Sequence, residues 1–348
     1  MRMRALAAAS AVLAVGVMTM GAGVTAASVI KPAVRAGRSS AAAAARGSQA
    51  TEGTGSLAAS GSRVRAGTCT SPRTYRTLAG QLSAGIQDAL RGRAGDHAVA
   101  VDDTVTGVSC SADSERHFAS ASIVKAIILA ALLRWHQELG TALSSWERGE
   151  ATLMITQSDN DAATDLWDEV GMSRLQQFLD LAKMGQTRLG EDGYWGLTQV
   201  TAHDEMLLLE LLTRPNPVLT AASRAYQLGL MARVISSQRW GTPAGAPSGV
   251  TVHVKNGWLP DGSGWHVNSI GAFTGDGRNY LIAVLTDENA SEQEGIDTIE
   301  AVARVVHRDL NQGWLTPKAR LAASVASPAP TAWAVVPALP TPPPAPAP

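Results

Sequence analysis

The chain lacks a charge excess of either sign: 29 basic residues face 30 acidic ones, for a net charge of −1. A nucleic-acid binder usually carries a strong basic excess, so this balance argues against that class. Long uncharged apolar runs are missing outside the N-terminus, which excludes a multispan membrane protein. No G-X-Y period exists, so fibrous readings fall, and the balanced composition argues against a wholly disordered chain. Cysteine is nearly missing too. Cys69 and Cys110 are the two present, and neither sits at a helix start or beside a histidine, so no catalytic thiol is expected. What remains is a chain of 348 residues, 45% hydrophobic, with enough apolar material for a sizeable core in one or two domains.

Both ends differ from the middle. Residues 1–67 hold eight basic residues and one acidic. Met-Arg-Met-Arg precedes an uncharged stretch from Ala5 to Val24 and then small residues at Thr25, Ala26 and Ala27. This is the pattern of a signal peptide over 1–27, with a retained membrane anchor as the alternative. Residues 28–67 are rich in Ala, Ser, Gly and Arg and read as a flexible linker. Residues 316–348 hold ten of the seventeen prolines and read as an extended Pro/Ala-rich tail. The expectation is therefore a secreted, extracellular or cell-wall-associated protein with no stable membrane insertion once the signal is cleaved. In that setting a Cys69–Cys110 disulfide is the default, and two free thiols the alternative.

The middle, 68–315, predicts one α+β domain. Apolar spacing at Leu78, Leu82, Ile86 and Leu90 predicts a helix over 72–92. Strands are expected at 97–103 and 105–110, followed by a long helical block from about 120 to 234. Strands return at 250–256, 266–274 and 279–286, the last two joined by the hairpin signal Asp276-Gly277. A helix over 291–310 closes the domain. That order implies one antiparallel sheet flanked by helices, with an all-helical lobe beside it.

Lysine is scarce: Lys31, Lys125, Lys183, Lys255 and Lys318 against 24 arginines. Lys125 stands in an apolar helix, where burial lowers the pKa of an amine; an arginine could not respond that way. Ser122 precedes it by one helical turn, on the same face. A hydroxyl at a helix start beside an amine able to take its proton is an activated nucleophile. The bland alternative is an N-cap serine and an outward-snorkelling lysine. Ser158-Asp159-Asn160 opens a later helix. Ser158 can relay a proton and Asn160 offers an amide, although Ser-Asp-Asn also suits an ordinary turn or cap. Lys255-Asn256-Gly257-Trp258 lies on a predicted strand, where the glycine permits close approach of a ligand; an edge lysine with a bulge glycine is the alternative.

S-x-x-K, S-D-N and K-x-G thus occur in order, each in its expected setting. Over about 70–312 the sequence resembles the class A β-lactamase and penicillin-binding serine-hydrolase superfamily. The resemblance implies an acyl-enzyme mechanism with Ser122 as nucleophile, Lys125 as proton acceptor and Ser158 as the shuttle to the leaving nitrogen. Asn160, Lys255, Asn256, Gly257 and Trp258 would bind substrate, with the backbone N–H groups of Ser122 and Trp258 as the oxyanion hole. The substrate implied is a small β-lactam or a peptidoglycan-like amide or ester, handled by a monomer. Neither a cofactor nor a metal is expected, since His253 and His266 lack metal-ligand spacing.

Three departures stand out. Asn256 replaces the Thr or Ser of the family's K-T-G or K-S-G, and Trp258 replaces the small residue that follows. Between Thr187 and Thr201, where class A enzymes carry a deacylating glutamate, the acids are Glu191 and Asp192. Glu191 is the candidate water-activating base, with a solvated turn acid as the alternative. Two other readings follow: a penicillin-binding-like D,D-peptidase or esterase without fast β-lactam turnover, and a cell-wall-binding pseudoenzyme. Trp195, Trp258 and Trp265 are candidates for an aromatic cleft wall.

Overall fold

The computed structural model describes residues 68–312. The expected signal peptide, linker and Pro/Ala-rich tail lie outside the described residues. In chain order the elements are β1 (Thr68–Thr70), α1 (Arg76–Leu90), β2 (Asp96–Asp103), β3 (Val108–Ala112), β4 (His117–Ala119), α2 (Val124–Leu139) and α3 (Ser145–Thr156). There follow α4 (Asn160–Ala182), β5 (Gln199–Thr201), α5 (Ala202–Thr213), α6 (Ala221–Met231), β6 (Thr251–Pro260), β7 (Trp265–Gly275), β8 (Arg278–Asn289) and α7 (Glu292–Asn311).

Six strands form one antiparallel sheet in the order β1-β3-β2-β8-β7-β6, and β4 pairs with β5 in a separate ribbon. Alternation along β2 splits the core. Ala98 and Ala100 face the helical lobe with Ile127, Leu208 and Leu285. Val99 and Val101 face the terminal helices with Leu82, Ile86, Ile299 and Val302. Helices α1 and α7 thus cover one face and the inserted helices the other, and the expected α+β architecture is the observed one. The small residues Ala98, Ala100, Ala272 and Ala283 let the helical layer sit close to the sheet.

Differences from the expected elements have local causes. The second strand starts at Val108, because Asp103 accepts from Val105 N (3.1 Å) and Thr106 Oγ1 (2.6 Å) and closes a turn first. The turn at Asp276-Gly277 forms as expected, with φ of 52° and 73°, the two positive values a type I′ hairpin needs. The helical block is broken at Gly171, whose φ is 74°, and again by the stretch 183–198. Cys69 and Cys110 stand opposite each other in the β1–β3 ladder and are joined by a disulfide, so the expected bridge is formed.

Candidate active site

Ser122 lies in a 3₁₀ turn, Ala121–Ile123, that feeds directly into α2. The turn is held from three sides. Ser120 N donates to Thr198 O (2.8 Å) in the stretch before β5. Asn268 on β7 donates its Nδ2 to Ala119 O (2.8 Å) and Ser120 O (3.2 Å). Gly257 on β6 comes so close that a Cβ there would lie 2.6 Å from Ser122 N and 2.8 Å from Ser120 O. Only glycine fits that approach, which explains the last letter of K-x-G. Ala121 has φ of 47°, a left-handed conformation that costs a residue with a Cβ about 1 kcal/mol or more and is tolerated where the surroundings impose it. Ser122 is half-buried.

Lys125 is 0% exposed in the apolar first turn of α2. Its Nζ donates to Ser158 O (2.6 Å), Asn160 Oδ1 (2.8 Å) and, more weakly, Ser158 Oγ (3.3 Å). The ring of Trp195 covers the amine, with Nζ 4.7 Å from its centroid. Burial pushes the amine down to about 7, partly countered by the nearby charge of Asp159. At neutral pH a large share of the protein therefore carries Lys125 as a free base. Lys255 enters from β6, also buried, and donates to Ser158 Oγ (2.9 Å) and Asn256 O (2.8 Å). Its amine is held well below the usual lysine range by burial and then by Lys125.

Ser158 is the meeting point, its hydroxyl lying between two lysines from different parts of the fold. Its φ of 59° is left-handed, and this turn aims both its carbonyl and its hydroxyl at Lys125. Asp159 then caps α4 through Ala162 N (2.9 Å), and Asn160 begins the helix. The structure thus brings Lys125, Ser158, Asn160 and Lys255 into one hydrogen-bonded cluster. Ser122 stands one helical turn from Lys125, but Lys125 Nζ spends its hydrogen bonds on Ser158 and Asn160 rather than on Ser122 Oγ.

Two further candidates do not join this cluster through their side chains. Asn256 is buried, and its Nδ2 donates to Gln238 O (3.0 Å) and Trp240 O (2.9 Å); its Oδ1 has no partner among the described residues. Glu191 is exposed, and its carboxylate makes no hydrogen bond or ion pair among the described residues. The side chain that this stretch turns towards Lys125 is Trp195, whose Nε1 donates to Thr164 Oγ1 (3.2 Å). Trp258 packs edge-on to Trp240, with ring centroids 5.8 Å apart. His253 bonds Leu228 O and Thr274, and His266 lies against Asp261 and Asp287. Among the described residues no cluster of His, Cys, Asp and Glu is arranged to hold a metal ion. Sequence reading missed Asn268, which fixes the strand before Ser122; a lone asparagine on an apolar strand was the available signal.

Known proteins resemble this chain. Residues 148–310 match the family model described as the β-lactamase enzyme family. A curated relative from Mycobacterium tuberculosis (strain ATCC 25618 / H37Rv), named "Putative lipoprotein LppW", is 28% identical over 222 residues, 60% of this chain and 68% of the relative. Among solved structures, PBP-A is 21% identical with a TM-score of 0.59, covering 68% of this chain and 97% of that one. The TLA-3 extended-spectrum β-lactamase is 16% identical with a TM-score of 0.60, over 66% and 98%. At such identities the structural likeness carries the fold: it is that of class A β-lactamases and penicillin-binding proteins. The superfamily resemblance stated from the three motifs is borne out.

Proposed function

We propose that this chain is an exported serine hydrolase that works through an acyl-enzyme at Ser122, on a β-lactam or a related amide or ester. The observation that carries the reading is the convergence of Lys125, one helical turn beyond Ser122, and Lys255 on the Ser158 hydroxyl. Burial lowers both amines, and Lys255 is lowered further by Lys125, so a neutral amine is on hand at neutral pH. Ser122 Oγ attacks the carbonyl carbon and its proton passes to the Lys125 amine. The developing oxyanion is met by the N–H of Ser122 just before α2, where the helix dipole adds to it, and by the N–H of Trp258 on β6. The acyl–heteroatom bond breaks, and Ser158 hands the proton to the leaving atom and is resupplied by the lysines. Water then cleaves the ester and restores Ser122.

The stretch around Trp195 favours the penicillin-binding-like variant of this reading, in which acylation outruns deacylation. An indole in contact with Lys125 cannot take a proton from water, and Glu191 is exposed to solvent. Export rests on the N-terminal pattern, and the relative's name, which speaks of a lipoprotein, points the same way. Among the described residues no helix is long and apolar enough to cross a membrane.

Incubating the full chain with nitrocefin and with a fluorophosphonate, beside Ser122→Ala, tests the proposal by intact mass and absorbance. One adduct per chain with slow turnover, abolished in the variant, is the expected result. Rapid turnover would favour the β-lactamase reading, and no adduct with either probe would leave a wall-binding module without catalysis.

A further inference from the structure

The strand that flanks Ser122 is unusual in what it withholds. β6 is an edge strand of the sheet, and Gly257 sets its backbone against Ser122. A substrate whose carbonyl sits at Ser122 N and Trp258 N therefore lies along residues 255–258. In a β-lactam the free carboxylate stands next to the lactam nitrogen, so it reaches the same stretch. A carboxylate needs donors there, because a desolvated anion without hydrogen bonds is costly.

The donors are already committed. Both protons of Asn256 Nδ2 go to the main-chain oxygens of Gln238 and Trp240. Two carbonyl partners fix the orientation of the amide, since the reverse would set oxygen against oxygen. What Asn256 has left is Oδ1, a buried acceptor that cannot donate to an anion. Lys255 is buried and donates to Ser158 Oγ and Asn256 O. Arg239, the arginine closest in sequence before β6, turns its guanidinium to Ala232 O (3.0 Å) and Val252 O (3.4 Å). Trp258 adds an indole, half-buried against Trp240.

From this arrangement we infer that the substrate is an uncharged ester or amide with no free carboxylate beside its scissile bond. The inference rests on the acyl-enzyme reading above and narrows its substrate class. Specificity here works by denying an anion its partners as much as by attracting a neutral group.

A matched pair tests it: benzylpenicillin and its methyl ester, which differ in the carboxylate alone, with the rate of Ser122 acylation in the full chain followed by intact mass. The ester acylates about tenfold faster or more, the effect of one unmade hydrogen bond to a charged group, and Asn256→Thr, which restores a hydroxyl, narrows that ratio. Equal rates, or a faster free acid, overturn the inference. If a fluorophosphonate labels Ser122 while neither penicillin form does, the substrate class is wrong and the hydrolase reading stands. If nothing labels Ser122, the hydrolase reading falls and takes this inference with it.

Discussion

Lys125 is kept at the expense of the fold's stability. Its amine titrates at about 7 in the folded chain, against an ordinary lysine value of 10.5. Between those values the unfolded chain holds a proton that the folded chain does not, so this residue's contribution to stability rises with pH across that window and is flat below it. Lys125→Met should therefore raise the melting temperature at neutral pH by about 2 °C or more, with a gain that shrinks towards about pH 10. Acylation should be lost in the same variant. Lys125→Arg should also lose acylation, because a guanidinium keeps its proton, and should melt lower because that charge stays buried. In the unaltered chain the acylation rate should climb as pH passes about 7. Thermal melts and probe labelling across the pH range check all of these. A Met variant that still acylates would remove the amine from the mechanism.

At the level of elements, β6 sets the position of the turn that carries Ser122 through Gly257. A Cβ there meets main-chain atoms of Ser122, Ser120 and Ile123, and main chain cannot rotate away as a side chain can. Gly257→Ala should push β6 from the turn and widen the oxyanion site, lowering acylation by about 100-fold, the scale seen when one oxyanion donor is lost. The fold should survive, since β6 keeps its ladder with β7. Labelling kinetics beside a melting curve separate the two effects. These elements are also the ones most readable from sequence. The apolar run of α2 and the continuous apolar run Tyr280 to Leu285 in β8 are buried on every side, and a run of one residue type survives any context. The short ribbon of β4 and β5 has three residues on each side, too few to show a period. The settings of Asn256 and Trp195 are illegible for a related reason. Whether an amide faces a ligand or two loop carbonyls, and whether a Glu or a Trp reaches an amine, is decided by residues distant in sequence, here Gln238, Trp240 and Thr164.

Across the domain, the sheet separates its fastening from its chemistry. The disulfide Cys69–Cys110 lies at the β1–β3 edge, and the site lies at the β6 edge, with three strands between β3 and β6. Replacing both cysteines by serine should cost about 2–4 kcal/mol, a loss visible in a denaturant midpoint. The acylation rate of the chains that remain folded should be unchanged. A parallel loss of rate would mean that strain is transmitted across the sheet. The two edges also answer the same hazard in different ways. An open strand edge is a template on which another chain can grow. β1 offers three residues and is bolted in place. β6 offers ten, and the turn that carries Ser122 packs against its face at Gly257. The turn that carries Ser122 thus leans on the strand with the long open seam, and any loosening of the helical lobe that lifted it away would leave that seam freer to self-associate.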